Sequence, residues 1–79
     1  MKTSDTILLV IAEGQITTDA IAGKLAQPEI IIAKFGVDLE LDGLATSHSL
    51  GNDTKGRKLI TWRITPAGRE RADQLQQTA

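Results

Sequence analysis

Hydrophobic positions keep a helical spacing along the first part of the chain and change to strict alternation after Gly43. Ile7, Leu8 and Ile11 fall on one side of a helix that Ser4-Asp5 is placed to cap and Gly14 to end. Ile16 then forms a short extended piece. Thr17 and Thr18 offer hydroxyls as helix caps, and Asp19 stands in a first turn, where a negative charge is favoured. The second helix they open carries Ile21, Ala22 and Leu25 on its apolar side, and Gln27-Pro28 ends it. Pro28 suits the first position of a third helix, where its missing N–H costs nothing. That helix is predicted to run to about Asp42, with Gly43 as its left-handed cap and Leu44 folding back after it.

Beyond Gly43 the period becomes two. Thr46–Leu50 reads as a strand, Gly51-Asn52-Asp53-Thr54-Lys55-Gly56 as a turn, and Arg57–Thr65 as a second strand. In the second strand Ile60, Trp62 and Ile64 alternate with Leu59, Thr61 and Arg63, so one face is apolar and the other mixed. Trp62, the only tryptophan, reads as a core residue. Thr65-Pro66 opens a last helix with Gly68, Ala72 and Leu75 on one side, and Gln76–Ala79 is expected to fray.

The third helix has two distinct faces. Wound at 100° per residue, Ile32, Phe35, Gly36 and Leu39 share one face, the expected core side. Ile30, Lys34, Val37 and Leu41 share the other, flanked by Ile31 and Asp38. The outer face is therefore aliphatic around a single cation.

Charge adds a division that the pattern does not show. Residues 1–45 hold three bases and seven acids, a net −4, whereas residues 46–79 hold six bases and three acids, a net +3. All six of those bases lie between Lys55 and Arg71. A local basic patch attracts polyanions even when the whole chain is near neutral. At 79 residues the chain reads as one domain, and a monomer of that size is marginally stable. It contains no cysteine and no apolar run of membrane-spanning length, which points to a cytoplasmic protein without disulfides.

Three helices, a short strand among them and a following hairpin is the order of a winged helix-turn-helix. Ile16-Thr17-Thr18-Asp19-Ala20-Ile21-Ala22-Gly23-Lys24-Leu25-Ala26 is similar to that family's strand, cap and second helix. Leu39-Glu40-Leu41-Asp42-Gly43-Leu44 resembles the usual end of its recognition helix. Trp62-Arg63-Ile64-Thr65-Pro66-Ala67-Gly68-Arg69 resembles the junction from wing to last helix in small bacterial regulators of the MarR and PadR kind. Together these strings cover most of the chain. The resemblance implies an α+β, mainly α fold: a three-helix core, a two-stranded β-wing and a C-terminal helix, forming a single domain over residues 1–79.

It also implies a small transcriptional regulator that binds duplex DNA. Lys55, Arg57 and Lys58 at the hairpin tip would reach phosphates, Thr17 and Thr18 would add a contact at a helix N-terminus, and Ile31 and Lys34 would enter the groove. The acidic, aliphatic third helix departs from an ordinary base reader, which uses Arg, Lys, Asn or Gln. It leaves an alternative open. Ile30, Ile31, Val37 and Leu41 could form a protein interface, for self-association as a homodimer or for a partner, as in an antirepressor or adaptor.

Catalytic and metal chemistry find little footing. His48 is the only histidine, and alternation sends it to the face opposite Ser47 and Ser49. Helical spacing spreads Asp38, Glu40 and Asp42 around the helix. The turn at 51–56 leads into a strand rather than a helix, so it is not a phosphate-binding loop. The expectation is a non-enzyme with no metal and no cofactor.

Overall fold

In the computed structural model, which describes residues 2–77, helix α1 spans Thr3–Ala12 and sends Ile7, Leu8 and Ile11 into the core. Its cap is not Ser4. Lys2 takes the extended N-cap backbone, with no side-chain hydrogen bond, and Ser4 lies already within the helix. Asp5 instead faces Arg71 of the last helix at 3.7 Å. Strand β1 (Ile16–Thr17) leads directly into α2 (Thr18–Leu25). Thr17 is the cap as expected, its hydroxyl accepting from Ala20 N–H at 3.4 Å.

The turn between α2 and α3 is short. Ala26 adopts a left-handed conformation at φ 54°, and Gln27 N–H bonds back to the Ala22 carbonyl at 3.0 Å. Helix α3 spans Glu29–Leu41, so Pro28 is its N-cap rather than its first residue. The Pro28 carbonyl accepts from both Ile31 and Ile32 while its own backbone is extended, as at an N-cap. At the other end Gly43, at φ 75°, lets Leu44 N–H return to the Leu39 carbonyl at 2.9 Å.

Strand β2 (Ala45–Asn52) runs two residues further than its pattern predicts, through an irregularity between Ser49 and Asn52 that Gly51 accommodates at φ 94°. The turn is correspondingly tighter, and β3 spans Lys58–Ile64. Arg57 belongs to the turn because its N–H is held by the Asp53 carboxylate at 2.9 Å. Thr65 leaves the strand because its hydroxyl accepts from Gly68 N–H at 2.9 Å and so opens α4 (Pro66–Gln77). That helix holds Gln76 and Gln77, against the fraying expected of them, while Thr78 and Ala79 lie outside the described residues.

The sheet has order β1-β3-β2, antiparallel throughout, with Ile16 opposite Trp62 and Ser47 opposite the same residue on the other side. The wing expected to be two-stranded is thus braced at its base by a third strand. Trp62 joins Ile7, Leu8, Ile11, Ile21, Ile32, Leu39 and Leu75 in one core. Thr61, on the face read as mixed, is also buried, and its hydroxyl donates to the Ile16 carbonyl at 3.3 Å.

Candidate nucleic-acid interface

The inner face of α3 is the one its periodicity predicts: Ile32, Gly36 and Leu39 are buried and Phe35 is half-buried. The outer face is open. Ile30 is 77% exposed and Leu41 80%, and Lys34 and Val37 are exposed between them. Ile31, expected beside them, is half-buried at the flank. The left-handed Ala26 and the capping Pro28 turn the chain sharply from α2 into α3, and in the first turns of α3 Ile30 and Lys34 are exposed while Ile32 is buried.

The acids of α3 are disposed unevenly. Glu29 is the first helical residue, and its carboxylate accepts from Arg57 Nη2 at 2.6 Å. Glu40 is turned toward the sheet, accepting from Ser47 N–H at 3.1 Å and from the Ser47 hydroxyl at 2.9 Å. Asp38 and Asp42 lie at the far end, lining a hollow of about 460 Å³ with Asp5 and Arg71. The N-terminal half of α3, the half that reaches base edges in helix-turn-helix proteins, therefore presents Lys34 between aliphatics, with its one acid paired.

Beside it rises the wing. Lys55 and Lys58 are exposed, and neither ammonium forms an ion pair with a described residue. Arg57, grouped with them in the sequence, is paired. A groove of about 290 Å³ separates the wing from α3, lined by Thr18, Asp19, Glu29, Ile30, Arg57 and Lys58. Thr18 borders this groove, but its hydroxyl accepts from Trp62 Nε1 at 2.8 Å and donates to the Ile60 carbonyl at 3.4 Å. Thr17 is likewise occupied in capping. What the start of α2 can offer a phosphate is its backbone N–H groups.

Sequence reasoning overlooked Glu29 and Asp53. Asp53 was legible: an Asp followed by Thr-Lys-Gly-Arg is a turn-closing pattern, and its carboxylate accepts from both Lys55 N–H and Arg57 N–H. Glu29 carried no such local signal. His48 is exposed on β2 opposite Thr61, and among the described residues no group of three His, Cys, Asp or Glu side chains could hold a metal ion. No described helix is long and apolar enough to cross a membrane.

A helix-turn-helix whose second helix is flanked by a hairpin wing defines the winged helix-turn-helix class. Solved structures of transcription regulators share this fold. The zinc-responsive MarR family member ZitR of Lactococcus lactis is 22% identical, with a TM-score of 0.80 over 98% of this chain and 51% of that one. The transcriptional regulator BldR of Sulfolobus solfataricus is 23% identical, with a TM-score of 0.77 over 94% of this chain and 51% of that one. A variant of ZitR in complex with DNA is 23% identical, with a TM-score of 0.78 over 98% of this chain and 51% of that one. The chain spans about half the length of these structures. No protein-family model and no curated protein matches it. The zinc response belongs to ZitR; this chain contains no cysteine, and its one histidine is exposed.

Proposed function

We propose that the chain is a single winged helix-turn-helix domain that binds duplex DNA in a cytoplasmic transcription regulator, without enzymatic activity, metal or cofactor. The observation that carries this reading is the charge arrangement around α3. Its N-terminal half exposes Lys34 among aliphatics, its acids are paired or remote, and the unpaired Lys55 and Lys58 stand on the adjacent wing. Lysines on the wing neutralise phosphates, while Ile30 and Val37 offer apolar contact to thymine methyls. Pairing of two copies on a two-fold site belongs to the same reading, with half-sites about 34 Å apart. The interaction-module alternative has no comparable support, because the solved structures that share the fold are transcription regulators, one of them in complex with DNA.

Titration of a fluorescently labelled duplex at low and raised salt tests it. The expected result is binding whose logarithm falls linearly with the logarithm of salt concentration. Absence of salt-dependent binding to any duplex overturns the reading.

A further inference from the structure

Arg57 ties the wing tip to the first residue of α3. Arg57 Nη2 donates to Glu29 Oε2 at 2.6 Å, and Arg57 Nε lies 3.9 Å from Asp53 Oδ2. The other Asp53 oxygen accepts from Lys55 N–H and Arg57 N–H at 2.9 Å each, and Asp53 N–H bonds to the Arg57 carbonyl at 2.8 Å. A short hydrogen bond therefore joins the first residue of α3 to the guanidinium, and a longer ion pair joins the guanidinium to the residue that closes the turn. Among the described residues, no other hydrogen bond or ion pair joins residues 53–58 to a helix. Both partners line the groove that separates wing from helix, so the pair acts across open space.

From this geometry we infer that Glu29 is a positioning residue: by holding Arg57 it fixes the wing against the recognition helix, and phosphate contact falls to Lys55 and Lys58. The inference rests on the DNA-binding reading above. Three physical points support it. The Glu29 carboxylate sits at the helix N-terminus, where the partial positive charge favours it and holds it in place. A guanidinium between two carboxylates has most of its field cancelled, whereas each wing lysine keeps a full unpaired charge. Asp53 closes the turn through the backbone N–H groups of Lys55 and Arg57, so the residue that Glu29 holds is itself part of the turn's hydrogen-bonded frame.

The sign of one effect sets this inference apart from simple electrostatics. Removing a carboxylate beside DNA strengthens binding if charge alone matters. If Glu29 positions the wing, its removal weakens binding.

The test uses the full chain with Glu29→Gln, Arg57→Ala, Arg57→Glu and the exchange Glu29→Arg with Arg57→Glu. Without DNA, amide order parameters of residues 53–57 should fall from about 0.85 toward 0.6 in the single variants and recover in the exchange. With a labelled duplex of mixed sequence, Glu29→Gln and Arg57→Ala should each weaken binding about two- to five-fold, the range of an exposed ion pair, at an unchanged salt slope. The exchange should restore it. Unchanged order parameters in Glu29→Gln, tighter duplex binding by that variant, or a salt slope reduced by about 0.9 in Arg57→Ala would each overturn the inference. An exchange variant that binds no better than Arg57→Glu alone would do the same. A parent chain that binds no duplex overturns the proposed function, and with it the role in binding, while the order parameters still decide whether Glu29 holds the tip.

Discussion

The indole of Trp62 lies directly over the bare α-carbon of Gly36: a methyl group placed there would come within 2.6 Å of Trp62 Cζ2. The spacing between α3 and the sheet is therefore set by a missing side chain. The same ring is fixed at its polar edge by Thr18, so one tryptophan locks α2, α3 and β3 together. That lock sets α3 against the base of the sheet from which the wing extends.

Gly36→Ala should consequently destabilise the domain, although alanine is the better helix former. Overpacking costs about 1–3 kcal/mol, against a propensity gain of about 1 kcal/mol. Gly23→Ala in α2, with nothing within 4 Å of the new methyl, should stabilise by up to about 1 kcal/mol. Thermal unfolding of the two variants should shift in opposite directions. A rise in Tm for Gly36→Ala would show that the ring moves aside freely.

Thr18→Val keeps the shape of the side chain and removes its oxygen. The buried indole N–H then loses its acceptor, for a cost of about 1–3 kcal/mol, measurable by urea unfolding. Thr18→Ser should retain most of the stability. Equal stability of Thr18→Val and the parent would mean that the hydrogen bond contributes nothing.

On the wing, Lys55→Ala and Lys58→Ala should each weaken duplex binding to a similar extent for all sequences and reduce the salt slope by about 0.9. Arg57→Ala should leave the slope alone. Anisotropy titrations over a range of salt concentrations separate the two behaviours.

The outer face of α3 has one well-chosen probe. Ile31 is half-buried, so Ile31→Asp mixes loss of fold with loss of function, whereas Ile30 is 77% exposed. Ile30→Asp should leave stability within about 0.5 kcal/mol of the parent and lower duplex affinity by adding a negative charge near phosphates. Lys34→Ala should lower affinity as well. Unchanged duplex binding in both, with loss of self-association in Ile30→Asp, would favour an interface between copies.

Much of the architecture is legible in local patterns. The inner face of α3, the Thr17 cap, the Gly43 reversal, the Thr65 start of α4 and the burial of Trp62 all follow from periodicity and capping chemistry, which act over a few residues. Boundaries moved where a rival local bond won. Lys2 displaced Ser4 as cap, and the Asp53 carboxylate drew Arg57 out of the strand.

The candidate site divides in the same way. Sequence alone identified the basic hairpin and the exposed aliphatic face, because both are properties of neighbouring positions. It treated Lys55, Arg57 and Lys58 as equivalent, and only the fold distinguishes them by bringing Glu29 to Arg57 across 28 residues of chain. Thr18 likewise reads in the sequence as a cap or a phosphate contact, and only the fold shows Trp62, 44 residues away, taking its hydroxyl. Spacing along a chain determines which face a residue occupies. Which remote partner neutralises its charge or fills its hydrogen bond depends on how two elements are set against each other, and in this protein that setting is made by Trp62 packing on Gly36.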